Sequence, residues 1–192
     1  MPDRATYYTI SPSADSTLAV ELSKTGLSRD KKHLLFFEKF TGEMCFAEKN
    51  PAAFKLTLMV EAASVMCRDA SLSDKKRSAI AEFARNKALA ATAYPEIHFT
   101  SHSIRAKPLR GFVVEGALQI RGVTRTVEVS IVLSPRHKDS LQLDGDAALR
   151  LSDFALPRPS ALFGLIGTKD EVAIRILLWA IPQAETVTAT TN

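Results

Sequence analysis

Apolar and polar residues alternate along much of this chain. Leu18, Val20 and Leu22 interleave with Ala19, Glu21 and Ser23, the period of two that an extended strand imposes, and Thr25-Gly26 ends the run. The spacing predicts a second strand from Leu34 to Phe46, bent near Thr41-Gly42, and a turn at Asn50-Pro51. A third extended segment is expected from Phe54 to Val65, with Phe54, Leu56, Leu58 and Val60 on one face.

The period changes at Ser71. From Leu72 to about Ala93 there is neither Gly nor Pro, and Ile80, Phe83, Ala84, Ala88 and Ala91 recur at spacings of three and four. That is one apolar helical stripe, with Ser71 or Ser73 as N-cap. Pro95 forces Tyr94 out of the helical region. Strands resume with Ile97 and Phe99. Phe112, Val114, Gly116, Leu118 and Ile120 share a face, and Arg121-Gly122 supplies a tight turn. Val123, Arg125, Val127, Val129, Ile131 and Leu133 return on the partner strand, which makes a hairpin. Leu141 to Leu151 alternates again. The last strand, Glu171 to Ile181, carries Val172, Ile174, Ile176 and Leu178 on one face and Ala173, Leu177 and Trp179 on the other. Many short strands in succession predict a closed or nearly closed antiparallel sheet with one amphipathic helix before Tyr94. The inside of such a sheet holds either packed side chains or a ligand. The Thr- and Ala-rich tail over 183–192 is expected to be disordered beyond a single domain of 1–182.

Composition narrows the class. At 192 residues, 46% of them hydrophobic and 24% charged, the chain reads as one globular domain, and disorder and fibrous classes are excluded. The net charge of +4 is small. The basic clusters Arg29, Lys31, Lys32 and Lys75, Lys76, Arg77 are short and adjoin Asp30 and Asp74. They read as solvated surface, and nucleic acid is not expected as a partner. Cys45 and Cys67 sit among apolar neighbours in no metal-ligand spacing and read as small buried hydrophobes. Residues 1–10 lack the apolar run of a secretory signal, and no stretch approaches the ~18 apolar residues of a transmembrane helix. The chain as given therefore reads as cytoplasmic, or as periplasmic had a signal been removed from it.

Catalytic constellations are missing from the pattern. His98 and His102 stand four apart on an expected strand, about 13 Å from end to end, too far to share one metal ion. His33 and His137 fall near expected turns with no acidic or cysteine partner at ligand spacing. Asp144 and Asp146 form the polar side of a half-buried strand, and Asp153 and Asp170 read as turn caps. No nucleophile elbow, phosphate loop or dinucleotide fingerprint is present. No catalytic residue, metal or cofactor is expected. The unusual segment is Phe154 to Gly167, apolar yet broken by Pro157, Pro159, Gly164 and Gly167. It must pack somewhere: over a barrel mouth with Leu162, Phe163, Leu165 and Ile166 facing an apolar interior, or as a plug that caps the core and binds nothing.

Three ordered motifs carry a family resemblance. Tyr94-Pro95-Glu96-Ile97-His98-Phe99-Thr100-Ser101 resembles the "yP-x-I-x-F-x-S" segment of the YceI-like family. Gly116 to Val127 resembles its "G-x-L-T-I-x-G-V-T-x-P-V" hairpin. Ser152-Asp153-Phe154-Ala155-Leu156, with Gly167 to Val172 after it, is similar to its "R-x-D-F-G-I … D-E-V" ending. The resemblance implies a bacterial, mainly β protein: an extended, lipocalin-like antiparallel barrel of about eight strands that binds polyisoprenoid or similar amphiphilic chains. The chain departs from the pattern at Asp15-Ser16 for "H-S", at Leu151-Ser152 for the arginine, at Ala155 for the glycine after Phe154, and at Thr126 for the hairpin proline.

The expected function is non-enzymatic binding, transport or sequestration of an isoprenoid or fatty-acyl lipid. The residues expected to line the cavity are Phe99, Phe112, Val114, Leu118, Val129, Phe154, Leu162, Phe163, Leu165, Ile174 and Trp179. Periodicity does not decide which face of each strand points inward, and the question of a homodimer stays open. Two alternatives stand beside this reading: a fully packed barrel that docks a protein, and an enzyme using a His with Asp153 as acid–base partners.

Overall fold

The computed structural model describes residues 5–26, 32–47, 50–107, 111–158 and 166–183. The expected tail and the segment around Phe163 lie outside the described residues. One antiparallel sheet contains β1 (Thr6–Ile10), β2 (Thr17–Gly26), β3 (Lys32–Phe37), β4 (Phe40–Phe46), β5 (Lys55–Glu61), β6 (Val65–Cys67), β7 (Glu96–Ala106), β8 (Phe112–Ile120), β9 (Val123–Pro135), β10 (Leu141–Arg150) and β11 (Ile166–Pro182).

In space these serve as eight strands, because three long ones are each interrupted once. Along β11, Ile166 to Leu177 pairs with β2, and Ala180 to Pro182 pairs with β1. Next to them β3 pairs with β2 and β4 with β1, then β6 with β3 and β5 with β4. From β5 the ladder runs through β7, β8, β9 and β10 back to β11. The β1–β11 pairing closes an eight-stranded antiparallel barrel, and closure removes most of the exposed edge.

Two expected strands differ in detail. The second is broken at Glu38 and Lys39 and runs straight through Gly42. The third is broken by a 3-10 turn over Ala62–Ser64. The breaks lie side by side, tied by Glu38 N–H donating to Ser64 O at 3.4 Å and Glu61 N–H donating to Lys39 O at 3.0 Å. Both chains bend together there, a coupling that no single segment of sequence announces.

Past this corner β6 has β3 on one side only. The helix α1 (Asp74–Phe83) covers the other side and continues into a π-helical turn over Ala84–Ala88. Arg85 reaches across, its Nε donating to Ala63 O at 2.9 Å and its guanidinium to Val65 O at 3.3 Å, so carbonyls at the start of β6 and in the turn before it find donors as buried backbone groups must. The helix ends earlier than its composition suggests: Ala90 adopts a left-handed φ of 50°, which stops propagation before Pro95. Ser73 occupies the N-cap position without a side-chain hydrogen bond.

The β8–β9 hairpin forms as expected. Ile120 pairs with Val123, and Arg121 and Gly122 both take positive φ, 51° and 76°, the requirement of a two-residue turn matched to strand twist. Gly116 is needed for contact, since a Cβ there would stand 2.6 Å from the Phe99 ring. Cys45 and Cys67 are buried free thiols, in keeping with their apolar neighbours in sequence.

Candidate functional site

The barrel interior is divided along its length. At one end Tyr8, Ile10 and Met44 are buried. Phe46 meets Phe54 edge-on at 6.5 Å and Phe112 at 6.2 Å between centroids. Such edge-to-face geometry fills volume and adds roughly 0.5–1.5 kcal/mol per pair beyond burial. This end is packed shut.

Toward the other end the interior opens into a cavity of about 400 Å³. Its wall is the inward register of the strands: Val20 and Leu22 of β2, Leu118 of β8, Val129 of β9 and Ile174 of β11 are examples. Alternation makes this wall, because every second side chain on an antiparallel strand faces the same way. The roof is helical. Ile80, Phe83, Ala84 and Ala88, four members of the stripe read from sequence, line the cavity, and the fifth, Ala91, is buried beside it. Phe154 enters from a 3-10 turn over Leu151–Phe154 and is 2% exposed.

Of the expected lining residues, Phe99, Leu118, Val129, Phe154 and Ile174 come together on the cavity wall. Phe112 and Val114 point into the same barrel but pack toward its closed end, away from the cavity. Trp179 is a correction: it alternates with the buried Leu178 and Ala180 and so lies on the opposite face of β11. Its indole N–H is buried with no hydrogen-bond partner among the described residues. Leu162, Phe163 and Leu165 lie outside the described residues. The helical roof and the β2 face were legible as apolar stripes, but nothing local assigned them to a cavity.

The polar lining gathers at the open end. Lys24, His33, Arg150 and Thr168 are the polar or charged residues on the described wall, and no carboxylate joins them. Register places them together: Lys24 pairs with Thr168, His33 with Leu22, Leu22 with Val172, and Val172 with Leu149 beside Arg150. Lys24 and His33 each continue an inward series, the first after Leu18, Val20 and Leu22, the second before Leu35 and Phe37. A polar residue at the end of an apolar parity series is the sequence signal that could have found Lys24 and His33, whereas Arg150 follows the inward Leu149 and has the opposite, exposed parity.

His33 has an acidic partner in the fold, though not at any ligand spacing along the chain. Its Nδ1 lies 2.8 Å from Asp69 Oδ2, and both side chains are about nine-tenths buried. Asp69 also accepts from the Ser71 hydroxyl at 2.6 Å and the Ser71 N–H at 2.9 Å. The Ser71 hydroxyl and the His33 ring together hold the Asp69 carboxyl down at about 2, because donors favour the charged form. The pair spans 36 residues, so no spacing rule would reveal it. The other histidines lie on the surface: His98 pairs with exposed Glu96 at 2.9 Å, and His102 and His137 are exposed.

Asp170 acts as a turn cap from within β11, accepting from Ser152 Oγ at 2.6 Å and Ser152 N–H at 3.0 Å in the 3-10 turn over Leu151–Phe154. Those bonds lower its pKa. Asp144, Asp146 and Asp153 are exposed. Among the described residues no group of three His, Cys, Asp or Glu side chains converges as a metal site, and no helix is long and apolar enough to cross a membrane.

An apolar cavity inside a closed barrel, with this strand order and a helix over its open end, agrees with the comparisons with known proteins. A family model described as the YceI-like domain matches residues 8–180. The chain belongs to the YceI-like family. It is 31% identical to the protein YceI of Shigella flexneri over 123 residues, covering 62% of this chain and 60% of that one. The match thus spans about 60% of the curated relative's length. Among solved structures, BcnA of Burkholderia cenocepacia superposes with a TM-score of 0.64 at 21% identity, covering 84% of this chain and 95% of that one. A polyisoprenoid-binding domain from Saccharophagus degradans, described as implicated in plant cell wall breakdown, gives 0.63 at 12% identity, covering 94% and 100%. At these identities the structural likeness speaks for the fold.

Proposed function

We propose that this protein binds a long-chain amphiphile, isoprenoid or fatty-acyl, in the barrel interior and carries or sequesters it without chemical change. The carrying observation is the 400 Å³ cavity between the packed end and the helical roof. That volume falls within the roughly 300–1,000 Å³ of small-molecule sites, and its wall is almost wholly aliphatic and aromatic. Each CH₂ taken from water into such a wall gains about 0.8 kcal/mol, so a chain of a dozen or so carbons needs no specific chemistry to bind. The polyisoprenoid-binding relative supports the same class of ligand.

The lining supports the non-enzymatic reading. His33 is held by Asp69, not by Asp153, and no nucleophile with a base and an orienting group faces the cavity among the described residues. The test is mass spectrometry of an organic extract of gently purified protein, alongside a native mass spectrum of the intact sample. A hydrophobic molecule at one per chain is expected. Protein that stays empty after incubation with polyprenyl and fatty-acyl lipids would overturn the carrier reading in favour of a docking module.

A further inference from the structure

The open end of the cavity has a chemistry of its own, and it is cationic. Lys24 and Arg150 are the cationic side chains on the described wall and no Asp or Glu joins them there, while Arg150 stands across from Glu171 on the outer side of β11. Neither Lys24 nor Arg150 makes an ion pair at salt-bridge distance among the described residues. Arg150 lies near enough to Asp170 to help lower that carboxyl, but Asp170 is already bound to Ser152. A lysine continuing the inward series of Leu18, Val20 and Leu22 directs its charge along an apolar wall toward the rim.

His33 adds orientation. Asp69 engages Nδ1, and Ser71 fixes Asp69 in turn. The ring is therefore locked with Nε2 as the nitrogen left for a ligand, since among the described residues it has no other partner. A proton carried on Nε2 is donated to whatever sits there. Two fixed cations and an oriented imidazole at the end of an apolar slot form a complementary site for an anion.

We propose that the ligand is an anionic amphiphile, a carboxylate or phosphate on a single apolar chain, with its head seated among Lys24, His33 and Arg150. This rests on the carrier reading above and adds which head group the cavity selects. Asp69 is a positioning residue, acting through the His33 ring.

The experiment is a matched 16-carbon series of palmitate, hexadecyl phosphate, hexadecanol and hexadecanamide. Affinities are measured by calorimetry on the whole chain after delipidation, with acetate and inorganic phosphate as chainless controls. An acid is expected to bind at least tenfold tighter than hexadecanol, and the controls not to bind in the same range. Lys24→Gln and Arg150→Gln, both at the rim and checked for unchanged melting, should close that gap while leaving hexadecanol affinity in place. Asp69→Asn should weaken the acid several-fold and spare the alcohol. The order of palmitate and hexadecyl phosphate assigns the acid, and either order supports the site. If every chain binds alike whatever its head, the anionic-head proposal falls and the carrier reading survives. If no chain binds at all, both fall. Inorganic phosphate binding as tightly as hexadecyl phosphate would also overturn the proposal, because the apolar slot would then contribute nothing.

Discussion

Ala155 stands where the family pattern has glycine, and its backbone shows why glycine belongs there. It takes φ 52° and ψ 33°, the left-handed region, at the end of the turn that carries Phe154 into the cavity. A Cβ in that conformation costs roughly 1–2 kcal/mol, while glycine costs about 0.5–1 kcal/mol through the freer unfolded chain. Ala155→Gly is therefore expected to stabilise the protein by about 0.5–1 kcal/mol, read as a higher urea midpoint at unchanged slope. A lower midpoint would show that the alanine methyl makes contacts worth more than the strain. His33 teaches a related lesson about single residues: what it does depends on Asp69, which reaches it only in the folded chain.

At the scale of elements, the helix and its π turn serve two purposes. They cover the open edge of β6 through Arg85, and they roof the cavity with a face kept small by Ala84 and Ala88. Small residues there leave room that larger ones would take. Ala88→Phe should place a ring in existing void, so that stability holds within about 1 kcal/mol while affinity for a 16-carbon chain falls at least tenfold. Thermal melting and calorimetry on the same sample separate the two effects. Equal loss of both would mean that Ala88 packs against a rigid neighbour and borders no usable space. Gly116 shows the same economy in a strand, where the missing Cβ lets Phe99 lie across the sheet.

The whole molecule is a barrel sealed at one end by aromatic packing and lined at the other by basic groups. That polarity gives a bound chain one direction to enter and one place for its head. Because a ligand in the interior binds only the folded state, at a hundredfold excess over Kd it should stabilise the fold by about 2.7 kcal/mol. For a domain of this size that is a rise of roughly 5–10 °C in melting temperature. The rise should scale with the logarithm of free palmitate concentration. A flat melting curve across that titration would show that the lipid does not occupy the interior.

Alternation along β2, β8, β9, β10 and β11 and the three-to-four spacing from Ile80 to Ala91 were enough to read strands, hairpin and helix. Those signals are local: backbone geometry repeats every two or 3.6 residues, and burial of one face imprints that repeat on the sequence. The strand breaks at Glu38 and Ala62 were not legible, since each depends on its neighbour across the sheet. Nor was the orientation of Trp179, because several strands are apolar on both faces and only closure tells inside from outside, nor the place of Phe112 along the barrel axis. Lys24, His33 and Arg150 lie far apart along the chain, with Asp69 behind His33. Their meeting at one rim is a product of register, and register is fixed when eight strands bury their inward faces against one another at once.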